Sequence, residues 1–261
     1  MTTTPRVDDA LVQRLDDAVT GVREIRNAEA TDVDAAYAVQ EALVARRLDR
    51  GAVQVGWKLG FTSLAKMAQM GVSDVIVGRL TSDMLVPDGG SVDLPGLIHP
   101  RVEPEVAYRL ARDVSPDEPV DDILSAVDAV APALEIIDSR YQDFRFTLAD
   151  VVADNTSAAG FVIGPWTSLR DAGELGGLPV SLVVDGEVVE TGSTDAILGH
   201  PLKALPALAG MALRRGFRLR AGQVILAGAA TAAVPLRPGS GVVGRVTGLG
   251  SVRIEVRGGA E

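Results

Sequence analysis

The sequence predicts an α+β fold in which an N-terminal helical region packs on a β-rich body. Three observations predict it. Apolar residues recur at helical spacing through residues 6–50, and from about residue 52 short β-like runs alternate with Gly, Pro and Asp. One of those runs also contains an Asp-Gly hairpin signal. The spacing divides the chain into a helical region at 1–54 and a β-rich body at 55–261, the two able to form one continuous domain.

The elements follow in order. "VDDALVQRLDDAVTGV" carries Leu11, Leu15, Val19 and Val22 on one helical face. "TDVDAAYAVQEALVARRLDRG" opens on a Thr/Asp cap and stops at Gly51. "VQVGWKLGF", "VIVGRL", "ALEIID", "AAGFVIG" and "SVRIEV" then read as strands, and "SLVVDGEVVE" as a hairpin turning at Asp185-Gly186. Residues 119–130 and 201–215 read as two further helices, and no internal repeat or low-complexity tract interrupts the chain.

Composition narrows the function classes. A hydrophobic share of 47% in 261 residues is ample for a sizeable core. The net charge of −10 argues against a nucleic-acid groove or an anionic membrane surface. The absence of cysteine excludes disulfides and thiolate metal sites and fits a reducing compartment. "MTTTPRVDDALVQRL" lacks an apolar signal core, and no uninterrupted apolar run approaches the ~20 residues of a membrane span. The expectation is a soluble cytoplasmic protein.

The chemistry begins in "PRVEPEVAYRL", where Glu103 and Glu105 stand two apart in a strand-like run. Alternate strand residues share a face, so both carboxylates enter one space, roughly 7 Å apart along the chain. Glu135 in "VAPALEIIDSRY" is a third carboxylate in an apolar strand. With no Cys and two His, three such groups suit a hard divalent cation, Mg²⁺ or Mn²⁺, which takes oxygen ligands. The competing reading puts Glu103 and Glu105 in solvent on an edge strand either side of Pro104.

Lysine is scarce: 25 basic residues include only Lys58, Lys66 and Lys203. Lys58 lies among Val55, Trp57, Leu59 and Phe61, which draws its ammonium inward to pair with carboxylates or an anionic substrate. A snorkelling surface lysine is the alternative. Lys66 and Lys203 read as surface charges. Asp154, Asn155, Thr156 and Ser157 read as a capped turn, and His200 as a turn or core residue. "AGAATAAVP" is rich in small residues that let a carboxylate approach backbone N–H groups, with the Thr231 hydroxyl beside it.

"GWKLGFTS", "AKMAQMGV", "HPRVEPEVAY", "ALEIIDSRY", "VVADNTSAAGFVIG", "LGHPL" and "TAAVPLRPG" occur together and in order. From about residue 30 to the C-terminus the chain resembles the 2-hydroxypentadienoate hydratase / 4-oxalocrotonate decarboxylase family of the fumarylacetoacetate hydrolase superfamily. The resemblance implies a mixed β roll, a Mg²⁺ or Mn²⁺ ion, a small 2-oxo acid substrate and homo-oligomers, with a possible complex with a paralogous hydratase. By position, Glu103, Glu105 and Glu135 match the family's metal ligands. Lys58 matches its active-site lysine, and Asp83 in "LTSDM" an acidic residue behind the site.

"AKMAQMGV" and "IDSRYQDFRFTLADVVADN" resemble the decarboxylase branch, while Pro104 is hydratase-like. The implied activity is metal-dependent decarboxylation of 2-oxo-3-hexenedioate to 2-hydroxypenta-2,4-dienoate and CO₂ in aromatic meta-cleavage catabolism. The alternatives are the hydratase of that dienoate and a non-catalytic partner subunit. Arg140 and Arg145, with Tyr141, Phe144 and Phe146 as apolar cover, are candidates to hold the remote carboxylate. Thr231 is a further candidate substrate contact.

Overall fold

The structure, a computed structural model, describes residues 7–27, 32–63, 67 and 74–258. Its first two elements start where side chains satisfy free backbone N–H groups. Asp8 accepts from Leu11 N to begin α1 (Asp9–Thr20), and Asp32 accepts from Ala35 N to begin α2 (Val33–Asp49). Gly51, with φ +99°, follows the end of α2, whereas Val22 falls beyond the end of α1. Leu11 and Leu15 pack with Val39 and Leu43, and all four share a core with Ile76, Tyr141 and Val152 of the body. The helical region is thereby continuous with the β structure.

The strands, in chain order, are β1 (Gln54–Gly60), β2 (Ile76–Thr81), β3 (Ser91–Asp93), β4 (Arg101–Leu110), β5 (Val127–Ile137), β6 (Ala158–Ile163) and β7 (Thr167–Ser168). They continue with β8 (Pro179–Val184), β9 (Glu187–Ser193), β10 (Val224–Ala229), β11 (Val234–Pro235), β12 (Gly241–Val246) and β13 (Gly250–Arg257). One sheet runs β2-β1-β10-β4-β5-β6, with β11 on β4 and β7 on β5; the other runs β3-β13-β12-β8-β9. Both are mixed, since β1–β10 and β3–β13 are parallel pairs in otherwise antiparallel ladders.

The first sheet curls until β6 lies against β2, and the second packs on β4 and β5. Val102, Leu134 and Ile136 meet Leu182, Val252 and Ile254 across that contact. This is a mixed β roll with N-terminal helices. Asp185 (φ 52°) and Gly186 (φ 86°) both lie in the left-handed region, as the predicted Asp-Gly hairpin requires.

Among the described residues, three further helices are short or late: α3 (Ile123–Ala126), α4 (Leu148–Ala153) and α5 (Ala204–Arg215). The helix expected over 119–130 is reduced to a 3-10 turn at Val120–Asp122 followed by α3, because β5 takes over at Val127. β5 pairs with β4 along its whole length, from Leu110 opposite Val127 to Arg101 opposite Ile137. That long-range ladder outweighs the local helical period. α5 ends at Gly216, φ 71°, a left-handed stop.

The run Thr194–Arg215 has the length and mean hydropathy, 1.3, of a membrane span. Its Leu205, Leu208 and Met211 are instead buried against Trp57, Tyr108 and Ile225, which makes it a core element.

Candidate metal centre and active site

Strand pairing assembles the carboxylates. Glu103 on β4 is the direct cross-strand partner of Glu135 on β5, and Glu105 follows two residues on, facing the same side. β4 lies inside the sheet, between β10 and β5, so the solvent-exposed edge-strand reading of this pair is overturned. Pro104 is tolerated there because the β10 ladder slips between Leu226 and Ala229. At that break the Pro104 carbonyl accepts from Ala230 N at 3.0 Å.

Glu103, Glu105 and Glu135 are all buried, and each offers an oxygen within 4.8 Å of the others'. Glu105 Oε2 accepts from Gly228 N at 2.7 Å. Its Oε1, and Oε1 of Glu135, are buried with no hydrogen-bond donor. Such oxygens are costly to leave unsatisfied. The donor set is therefore what a divalent cation with oxygen coordination needs. Burial pushes the Glu105 carboxyl well above its ordinary range, and the charges of Glu135 and Glu103 push it further. Burial likewise raises Glu135, to about 7, against the opposing charge of Lys58.

Lys58 on β1 reaches this cluster across the inside of the curled sheet. Its Nζ lies 3.0 Å from Glu135 Oε2 and donates to the Thr156 carbonyl at 3.1 Å. The side chain is buried, so the snorkelling alternative does not describe it. Burial alone would lower its pKa, but the charges of Glu135, Glu103 and Glu105 outweigh that and raise it, keeping an ammonium.

A cavity of about 250 Å³ opens beside Glu103. Phe61, Thr62 and Ser63 line one side, Ala230 and Thr231 the other. Thr231, a predicted contact, is thus at the cavity, its hydroxyl donating to the Ala232 carbonyl at 3.0 Å. Gly228 was not singled out from the sequence, although "AGAATAAVP" contains it. The small-residue signal does bring a backbone N–H to a carboxylate, but that carboxylate is Glu105.

Three expected site residues stand elsewhere. Asp83 lies in the 3-10 turn Ser82–Met84, half exposed, and pairs with Arg47 Nε at 2.7 Å across a different groove. A carboxylate engaged there is not in reach as an acid/base partner for Lys58. Arg140 is buried and committed to structure: Nε pairs with Asp154, Nη1 donates to the Asp138 carbonyl at 2.6 Å and Nη2 to the Asp154 carbonyl at 2.5 Å. With Nε and both Nη nitrogens engaged and the side chain buried, it offers no open fork to a substrate carboxylate. Arg145 is exposed and does not line the cavity, and Tyr141 is sealed in the helical core.

The DNTS cluster is a turn, as read, but it also supplies Lys58 with its carbonyl partner. His200 caps a 3-10 turn through Nδ1, which accepts from Leu202 N, and its Nε2 meets Glu174 at 2.8 Å. Lys203 is exposed; Lys66 and most of "AKMAQMGV" lie outside the described residues.

The chain and its fold match known proteins. Residues 65–257 match the family described as fumarylacetoacetate (FAA) hydrolase C-terminal. The chain is 50% identical to a 4-oxalocrotonate decarboxylase of Pseudomonas sp, over 95% of its own length and 97% of the relative's. It is 40% identical to a 2-keto-4-pentenoate hydratase of Paraburkholderia xenovorans (strain LB400), covering 86% and 84%. Its fold superposes on the 4-oxalocrotonate decarboxylase from Pseudomonas putida G7, complexed with magnesium and adipate. That match has a TM-score of 0.89 and 41% identity, covering 95% and 96% of the two chains.

Proposed function

The chain belongs to the fumarylacetoacetate (FAA) hydrolase family, and from that premise we propose that it decarboxylates 2-oxo-3-hexenedioate to 2-hydroxypenta-2,4-dienoate and CO₂. The observation that carries the reading is a buried lysine ion-paired with one of three clustered buried carboxylates, another of which, Glu103, lines a small cavity. Glu103, Glu105 and Glu135 would hold Mg²⁺ or Mn²⁺. When bound, the cation supplies positive charge where the 2-oxo acid gathers negative charge.

The electron flow needs no imine. The C5–C6 bond breaks and C6 leaves as CO₂. Its electron pair forms C4=C5, the C3=C4 pair moves to C2=C3, and the charge ends on the C2 oxygen. A proton on that oxygen completes the 2-hydroxydienoate. The Lys58 ammonium, 3.0 Å from Glu135 Oε2 and hydrogen-bonded to the Thr156 carbonyl, would supply positive charge and an N–H to that oxygen.

Thr62, Ser63 and Thr231, which carry hydroxyls, are among the residues that line the cavity. Hydroxyls hold a remote carboxylate less tightly than a guanidinium fork, which leaves less ground-state stabilisation to overcome when CO₂ departs. The resemblance adds a homo-oligomer able to form a complex with a paralogous hydratase, and the sequence reading adds the cytoplasm.

The test is a product assay with Mg²⁺ supplied. CO₂ capture and ultraviolet monitoring should show the diacid consumed and the dienol accumulating. Rapid conversion of added 2-hydroxypentadienoate to 4-hydroxy-2-oxopentanoate, without CO₂ from the diacid, would make the chain the hydratase.

A further inference from the structure

Asn155, Thr156 and Ser157 are three consecutive non-glycine residues with φ of 46°, 55° and 57°. Side chains rarely adopt the left-handed region, and strain of this kind persists only where surrounding structure over-determines it. Here the determinants are visible. Asn155 acts as a surrogate strand residue against β2: its Oδ1 accepts from Arg79 N at 2.8 Å and its Nδ2 donates to the Arg79 carbonyl at 2.9 Å. On the other side, the Ser157 carbonyl accepts from Asp138 N at 2.9 Å.

The strands make room for the turn on both sides of Lys58. Gly78 is the cross-strand partner of Lys58, and a Cβ there would stand 2.7 Å from the Asn155 carbonyl oxygen and 3.1 Å from the Lys58 side chain. Gly60 shares the face of Lys58, and a Cβ there would stand 2.8 Å from Thr156 Cγ2. Two glycines thus let a strained turn press onto the strands at the place where Lys58 leaves β1. The part of the turn that meets the lysine is the Thr156 carbonyl.

We propose that the Asn155–Ser157 turn is a positioning device for Lys58, with Asn155 its positioning residue and Gly60 and Gly78 its clearance. Asn155 locks the turn to β2, and the turn holds the ammonium against Glu135 through the Thr156 carbonyl. The claim rests on the reading above in assigning Lys58 a role in the reaction. The geometry of the turn does not depend on which 2-oxo acid is consumed.

The scarcity of lysine provides the readout. With three lysines in the chain, labelling the lysine side-chain nitrogens yields a sparse ammonium spectrum, and Lys58→Met assigns the Lys58 signal by its loss. In Asn155→Ala the Lys58 signal should shift and exchange faster with water, while Mn²⁺ binding and KM hold. Turnover should fall about 10- to 100-fold, the scale expected when a reacting group is displaced by about 1 Å. Asn155→Asp keeps the acceptor to Arg79 N but sets a charged oxygen against the Arg79 carbonyl in place of the Nδ2 donor, so it too should shift the Lys58 signal. Gly78→Ala keeps the Asn155 side chain but sets a Cβ 2.7 Å from its carbonyl oxygen, so it should move the same signal from the opposite strand.

A folded Asn155→Ala protein with the native Lys58 signal and native kcat overturns the proposal. If Asn155→Ala does not fold, an unchanged Lys58 signal in Asn155→Asp and Gly78→Ala overturns it equally. Should no diacid be turned over by the native chain, the functional reading fails, and the Lys58 spectrum still decides the positioning claim.

Discussion

The Nζ of Lys58 stands 3.0 Å from Oε2 of Glu135, and neither side chain is more than 4% exposed. The lysine starts on β1 and the glutamate on β5, so only the curl of the sheet brings them together. One cation then faces three buried carboxylates. That imbalance makes the cluster dependent on added positive charge.

Lys58→Met should lower kcat by at least ~100-fold, the low end of a general acid/base contribution. It should also destabilise the metal-free protein, because breaking a buried ion pair from one side costs about 3–5 kcal/mol. Saturating Mg²⁺ should restore most of that loss, since it returns positive charge to the same carboxylates. Thermal melts with and without Mg²⁺ check this. An equal drop in both conditions would mean that Lys58 does not balance the carboxylate cluster.

Glu135→Gln replaces an anionic oxygen of the triad with a neutral amide. Metal affinity should fall by more than about 100-fold, beyond the 10- to 100-fold typical of losing an outer partner of a ligand. Titration calorimetry with Mn²⁺ gives the number. Native-like affinity in the variant, or full turnover in excess chelator, would remove Glu135 from the metal site.

The metal-free protein should lose stability as pH rises. The Glu135 carboxyl has an ordinary value of 4.5 and is raised by burial to about 7 in the fold. A carboxyl raised in the folded state stabilises the fold while protonated. That contribution is complete below 4.5 and is lost as pH climbs through about 7. Glu105 shifts in the same direction. The difference in melting temperature between Glu135→Gln and the native chain should therefore move in the variant's favour between pH 5 and pH 8, a window set by that raised value. Added Mg²⁺ should erase the trend at the upper end. A flat difference across the range would argue against a protonated Glu135.

Gly228→Ala should disable the Glu105 side of the site. Gly228 has φ +113°, and a Cβ there would stand 2.1 Å from Thr62 Oγ1. A left-handed non-glycine costs about 1–3 kcal/mol before any clash. The displaced N–H would release Glu105 Oε2, so metal affinity should fall even in protein that remains folded. Circular dichroism and Mn²⁺ titration together separate the two effects. Unchanged affinity in a folded variant would show that the Gly228 N–H does not orient Glu105.

Much of this site was legible in the sequence because strand geometry is local. The two-residue period puts Glu103 and Glu105 on one face without knowledge of any partner strand. Glu135 stood out as a charge inside an apolar run, and Lys58 as a rare lysine between Trp57 and Leu59. The Asp185-Gly186 hairpin, the cap at Asp32 and the stop at Gly51 were legible for the same reason: their chemistry is contained in a few neighbouring residues.

The tertiary structure decided everything that depends on what lies opposite. It placed β4 inside the sheet rather than at its edge, and it extended β5 through residues that read as a helix. It turned Arg140 inward to Asp154 and Asp83 outward to Arg47. It also aimed the Thr156 carbonyl at Lys58 from a strained turn whose clearance comes from Gly60 and Gly78 on two strands. Periodicity fixes which side chains share a face, because the backbone repeat is set residue by residue. Which groups that face meets is set by register and curl, and these are fixed by contacts between segments far apart in the chain.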